Sequence, residues 1–141
     1  MFFKTRLQEL AIVAGCGNFG SIAASKLSDQ GKDVVIIDIC SDAFNKLNGN
    51  YEVEQVEADA TDIDILKQCG IEHAPIFIAA TGDDNTNLMI AEFASEIFKV
   101  SKVIARIYDY ESKEPLLKEF NITPICSHLL AIKEIEEVFL T

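Results

Sequence analysis

The run Gly15-Cys16-Gly17-Asn18-Phe19-Gly20 follows the apolar stretch Leu10 to Ala14, and Asp38 closes the next apolar stretch 18 positions after Gly20. A strand, a glycine turn that opens a helix, and a second strand ending in a carboxylate together describe a dinucleotide cradle. Each glycine has its own task in that geometry. Gly15 permits the tight turn out of the strand, Gly17 lets backbone approach a pyrophosphate with no Cβ in the way, and Gly20 lets the helix pack closely on the strand. The phosphates then meet unpaired amides at a helix N-terminus, where the macrodipole is positive. Asp38 can accept hydrogen bonds from both ribose hydroxyls and would repel a phosphate on the 2′ oxygen. Ile39, Cys40 and Ser41 bring no cation to reverse that preference, so NADP is disfavoured. The competing reading is a glycine turn that binds nothing, with Asp38 capping the helix after it. That reading leaves the two features to coincidence.

The elements that must position these residues recur along the chain. Apolar runs at about 8 to 14, 33 to 38, 52 to 58, 75 to 80, 102 to 107 and 122 to 126 read as strands, with helical segments between them. Strands alternating with helices imply a parallel sheet. The expected fold is α/β, a Rossmann-like doubly wound six-stranded parallel sheet with helices on both faces and a C-terminal crossover helix. Pro75-Ile76-Phe77-Ile78-Ala79-Ala80 is apolar at consecutive positions, as a central strand covered on both sides must be. With no linker or repeat in the chain, residues 1 to 141 read as a single domain.

Between 84 and 99, Ile90, Phe93, Ala94 and Ile97 follow helical spacing and form a face for the sheet. Leu88, Ala91 and Phe98 form a second stripe, suited to another subunit or to extra core. In the last segment, Ile132, Ile135 and Phe139 oppose Glu134, Glu136 and Glu137, which marks a crossover or docking helix.

Other polar clusters sit where strands end. After the third strand, expected beside the first, comes Glu57-Ala58-Asp59-Ala60-Thr61-Asp62, in which Asp59 can reach an adenine edge and Thr61 can cap the next helix. After the fourth comes Thr81-Gly82-Asp83-Asp84-Asn85-Thr86-Asn87, which either lines the site or starts the long helix. Arg106 interrupts an apolar fifth strand and is expected to form an interface ion pair rather than a phosphate contact.

Composition excludes several classes. Twelve basic against 23 acidic residues give a net charge of −11, which argues against nucleic acid or anionic lipid as a partner. The apolar runs are too short to span a bilayer, and Met1 to Arg6 lacks the apolar stretch of a signal peptide, so a cytoplasmic address is expected. Cys16, Cys40, Cys69 and Cys126 are dispersed and read as reduced thiols, with Cys16 and Cys40 near the mouth of the site, where the helix terminus could lower a thiol pKa. With only His73 and His128 beside them, no metal-ligand cluster is expected. Catalytic machinery is missing too. Tyr110 and Lys113 are three apart where a short-chain dehydrogenase needs four, and no Ser, His and Asp set sits at strand ends.

The glycine turn, Asp38, Asp59-Ala60-Thr61, Ala79-Ala80-Thr81 followed by Asp83, Asp84 and Asn87, and Val103-Ile104-Ala105-Arg106 occur in an order that resembles the RCK/KTN (TrkA-N) family over roughly residues 8 to 140. These are regulatory domains of potassium channels and of Trk and Ktr type uptake systems. The resemblance implies no enzyme but a cytoplasmic domain that binds NAD(H) or adenine nucleotides, forms dimers or larger rings, and gates an integral-membrane potassium transporter or channel subunit from the inner face of the membrane, without inserting itself. It also implies roles by position. Gly15, Gly17, Asn18, Phe19 and Gly20 would hold the phosphates, Asp38 the ribose, Ala58, Asp59 and Thr61 the adenine side, and Thr81 the far edge.

Two departures qualify that expectation. The family often carries Arg where this chain has Asn18, which favours NAD(H) over a triphosphate, with ADP or AMP next and ATP after them. The separate C-terminal ligand-binding subdomain common in the family is not in these 141 residues and is expected from another polypeptide, or to be unnecessary. Two enzyme classes compete: a small NAD-dependent oxidoreductase, and an S-adenosylmethionine methyltransferase, which usually ends in an antiparallel seventh strand.

Overall fold

The computed structural model describes residues 9–50 and 52–140. β1 (Leu10–Ala14) is buried at all five positions and leads through the glycine turn into α1 (Asn18–Asp29). β2 (Asp33–Asp38) is followed by a 3-10 segment, Ser41–Leu47, then β3 (Val53–Glu57) and α2 (Ile63–Gln68). β4 (Ile76–Ala79) runs into α3 (Asp84–Glu92), which continues as a π turn over Phe93–Ile97. β5 (Lys102–Arg106), α4 (Tyr110–Glu119), β6 (Thr123–Ile125) and α5 (Ser127–Leu140) complete the chain.

The six strands form one sheet in the order β3-β2-β1-β4-β5-β6, and all its pairings are parallel. This is the Rossmann-like doubly wound architecture. β1 lies between β2 and β4, and the chain leaves it in opposite directions on the two sides, so a crevice opens at the carboxyl ends of these strands. β3 lies beyond β2 and not beside β1, which moves Asp59 one strand further out than expected.

Strand alternation divides the core into two layers. Val13, Val34, Ile36 and Ile78 pack with Ala24 of α1 and with Phe44 and Leu47 of the 3-10 segment. On the opposite face, Ile12, Val35, Phe77 and Val103 meet Leu66 of α2, Ile90 of α3 and Leu117 of α4. Phe77 is wholly buried at the centre of the second layer. Removing its ring would cost about 3–5 kcal/mol, because neighbours collapse only partly into such a cavity.

Two helices differ from their sequence reading. In α3 the second stripe supplies core: Leu88 and Ala91 are buried, and Phe98 packs against the same layer. Ile97, expected on the sheet face, is 53% exposed. The π turn accounts for this, since one extra residue per turn shifts the helical phase and carries Ile97 out of register with Ile90 and Ala94. The strand expected from about residue 8 begins at Leu10, and residue 8 itself lies outside the described residues. α5 has no buried residue, although Leu130, Ile132, Ile135, Val138 and Phe139 all lie on it. Among the described residues no helix is long and apolar enough to cross a membrane.

Candidate nucleotide-binding site

The glycine turn is held from both sides. Gly15 has φ +109°, a conformation L side chains rarely adopt, and a Cβ there would stand 2.5 Å from the Ala80 carbonyl oxygen. Its amide donates to the Ile37 carbonyl at 2.7 Å, which fixes the turn to β2. A Cβ on Gly20 would lie 1.8 Å from the Gly15 carbonyl oxygen, so the close approach of α1 to the turn requires glycine. Gly17 is different. A Cβ there would meet nothing within 4 Å, so no contact within the chain requires a glycine at this position.

Gly17 is also the N-cap of α1, with no side-chain cap, and the first turn carries no acidic residue. First-turn amides have no partner within a helix and present partial positive charge. Asn18 is exposed, Phe19 half-buried and Gly20 buried, and none of these three lines the cavity beside the turn. Gly15, Gly17, Asp38, Ala58, Asp59, Thr61 and Thr81 do line it. The cavity measures about 620 Å³ and sits at the carboxyl ends of the central strands.

Asp38 joins the turn to the end of β2. One carboxylate oxygen accepts from the Cys16 amide at 2.8 Å, the other from the Cys40 amide at 2.9 Å. It caps no helix: the 3-10 segment that follows starts from Cys40 without a side-chain cap. Each oxygen keeps a further lone pair for a ligand hydroxyl. The Cys16 thiol, donating to the Ala43 carbonyl at 3.3 Å, corrects the expectation of a lowered pKa. Burial and the neighbouring Asp38 charge push it up, against a weaker opposing effect of Lys46.

On the β3 side, Asp59 accepts from the Thr61 hydroxyl at 2.7 Å and from its amide at 2.9 Å. These bonds, the hydroxyl's first, hold the Asp59 carboxyl below the usual carboxylate range. Asp62, not Thr61, caps α2: its carboxylate accepts from the Asp64 amide at 2.9 Å, while the Thr61 hydroxyl is turned to Asp59.

The far side is organised by Asn87, which is 1% exposed. Its side-chain oxygen accepts from the Thr81 hydroxyl at 2.6 Å and amide at 2.9 Å, and its nitrogen donates to the carbonyls of Thr81 at 3.0 Å and Arg106 at 2.8 Å. Asp83 caps α3 by accepting from the amide and hydroxyl of Thr86, both at 2.8 Å, which keeps its carboxyl low. Asp83 and Thr86 also line the cavity, so this cluster both starts the helix and faces the crevice.

Arg106 lines the cavity, and among the described residues no carboxylate of its own chain forms an ion pair with it. Lys46, from the 3-10 segment, is the other cation of the lining and was not singled out by the sequence. Its position three residues beyond Ala43 on a 3-10 turn was the signal that could have found it. Among the described lining residues there is no histidine, tyrosine or serine.

The TrkA-N domain family model matches residues 11–128. The chain belongs to the TrkA-N domain family. It is similar to the Trk system potassium uptake protein TrkA of Streptomyces coelicolor, 39% identical over 98 residues, covering 70% of this chain and 44% of that protein. It is also similar to the glutathione-regulated potassium-efflux protein KefC of Enterobacter sp., 36% identical over 104 residues, covering 74% of this chain and 17% of that protein. This TrkA-N domain thus spans less than half the length of these relatives. Among solved structures, the TrkA-N domain of inner membrane protein ybaL from Escherichia coli superposes with a TM-score of 0.81 at 18% identity, covering 95% of this chain and 98% of that one. The Kef C-terminal domain of Shewanella denitrificans in AMP-bound form gives 0.73 at 23% identity over 93% and 80% of the two chains. The GsuK channel bound to NAD gives 0.68 at 17% identity over 89% and 22%. At these identities the likeness to solved structures speaks for the fold.

Proposed function

We propose that this TrkA-N domain is a regulatory subunit of a potassium transport system, and that it senses an adenine nucleotide without converting it. The observation that carries the reading is the cavity between the glycine turn, Asp38 and Thr81, which offers a phosphate cradle and a ribose acceptor and whose described lining holds no histidine, tyrosine or serine. NAD(H) is the favoured ligand, with ADP, AMP or ATP as alternatives. AMP in the Kef domain and NAD in GsuK support that range. In this reading the uncapped first turn of α1 takes the phosphates, Asp38 the ribose, Asp59 with Thr61 the adenine side and Thr81 the far edge.

Gating follows from differential affinity. A ligand shifts a pore only if it binds one conformation of the regulator more tightly than another, and couplings of this kind amount to about 1–3 kcal/mol. The domain must therefore touch other chains. α5 is the element suited to this, because a helix with no buried residue and a row of Leu, Ile, Val and Phe side chains is unfavourable in water and gains by burial against a second copy. Homo-oligomers joined through α5 would sit at the cytoplasmic face of the membrane on a transporter or channel subunit. The test is potassium flux through the reconstituted transporter with NAD, NADH, AMP, ADP or ATP supplied in turn. Flux that depends on which nucleotide is present is expected; identical flux with all of them, and with none, contradicts the reading.

A further inference from the structure

Arg106 ends β5 on the same side of the sheet as α1. Ile104, two residues earlier, packs with the α1 layer, while Val103, Ala105 and Ile107 belong to the opposite layer, so strand alternation turns the Arg106 side chain toward α1. Through the pairings of β1 with β4 and β4 with β5, Arg106 lies two strands from the end of β1. That lateral separation is about 10 Å, which a long side chain leaning across the crevice and a polyphosphate leaving the glycine turn can close from either side.

Three observations fix what Arg106 is placed to do. Its guanidinium is paired with no described carboxylate, although it is half-buried in a strongly acidic chain. Asp83, an acid of the same lining, already accepts from the amide and hydroxyl of Thr86. And its backbone carbonyl is held at 2.8 Å by the buried Asn87, which also holds Thr81, so the strand end is rigid relative to the crevice floor. The glycine turn carries no cation of its own, because position 18 is asparagine.

We propose that Arg106 is a specificity-determining residue of the cavity, selecting nucleotides that carry a second phosphate over nucleoside monophosphates. The proposal rests on the nucleotide-binding reading given above. The first phosphate is served by the α1 amides next to the turn, whereas a second one extends across the switch point toward β5, where a planar, permanently charged fork can grip it at two oxygens.

The test compares the affinities of the full chain for AMP and ADP, in the wild type and in the Arg106→Gln and Arg106→Lys variants, by titration calorimetry. ADP binding should weaken by about 10- to 100-fold in Arg106→Gln, the loss expected for a charged hydrogen-bond partner. AMP binding should change by less than about threefold, and Arg106→Lys should recover part of the ADP affinity because it keeps the charge but not the fork. An equal loss for AMP and ADP in a variant with wild-type melting temperature, or no loss for either, overturns the proposal. A wild-type chain that binds neither nucleotide nor NAD overturns the underlying reading instead, and this proposal with it.

Discussion

The amide of Cys16, inside the glycine turn, donates to the Asp38 carboxylate at 2.8 Å, so the turn and the end of β2 share one hydrogen bond. A second bond from the Cys40 amide, at 2.9 Å, fixes the other oxygen. A carboxylate held in this way faces its ligand in one orientation before the ligand arrives, which lowers the ordering cost of binding. It also means that Asp38 supports the turn in addition to the ribose role proposed for it.

Replacing Asp38 with Ala therefore removes two things at once. Affinity for NAD should fall by about 1–3 kcal/mol, roughly 10- to 100-fold, as expected for losing charge-assisted bonds. Asp38→Asn keeps one acceptor oxygen and should fall between the two. Calorimetric titration checks both, and an unchanged affinity in Asp38→Ala would place the ribose elsewhere.

The glycines separate folding from binding. Gly20→Ala puts a Cβ 1.8 Å from the Gly15 carbonyl oxygen, a clash that only backbone movement relieves, so stability should drop by about 1–3 kcal/mol or more. Gly17→Ala meets nothing within 4 Å and should leave stability within about 0.5 kcal/mol of wild type. It should nonetheless weaken nucleotide binding, because its Cβ would occupy the path of the phosphates. Thermal melts of both variants, read beside their titrations, decide this.

Two buried thiols make the domain sensitive to alkali. Burial pushes the Cys69 thiol up to about 12, and burial together with the Asp38 charge raises Cys16 above the ordinary value near 9. Unfolded chains release these protons from about pH 9, while the folded chain retains them. Stability should accordingly be fully present below pH 9 and decline as pH rises toward 12. Denaturant melts across that range check the slope, and Cys69→Ala should flatten it.

Acid acts through two hydrogen-bonded carboxylates, the α3 cap Asp83 and the loop residue Asp59. The Thr86 bonds keep the Asp83 carboxyl low, and the Thr61 bonds do the same for Asp59, so both carboxylates contribute stability above the unfolded carboxylate pKa and lose it as pH falls through their lower folded values. Asp83→Ala should melt lower than wild type at neutral pH, and the two curves should converge in acid.

α5 should govern assembly and leave the cavity alone. Changing Ile132 and Ile135, which are 49% and 55% exposed, to Asp removes no core contact. The double variant should run as a monomer in sedimentation while binding nucleotide as before. An oligomer of unchanged size would remove α5 from the interface.

Much of this was legible in the sequence because the relevant physics is local. Consecutive burial of Leu10 to Ala14 and of Phe77 to Ala80 leaves apolar runs, and the crowding at Gly15 and Gly20 leaves glycine no substitute. What was missed depends on contacts distant in the chain. Arg106 interrupts an apolar strand, and only the order of the sheet brings it to the crevice. The Cys16 thiol was expected to respond to a helix terminus, yet burial and a carboxylate 22 positions away outweigh it. Ile97 keeps helical spacing in the sequence, and the π turn that takes it off the sheet face has no periodicity of its own. The hydrogen-bonding reach of Asn87 across 19 positions to Arg106 is likewise a property of the fold.

The most direct measurement is mass spectrometry of the small molecules held by the natively purified domain, repeated after incubation with NADH, and run beside Asp38→Ala. An adenine nucleotide is expected on the wild-type chain, recovered chemically unchanged and lost from the variant. A cavity that holds no nucleotide under saturating conditions, or that releases NADH in oxidised form with a reduced product beside it, would contradict that expectation.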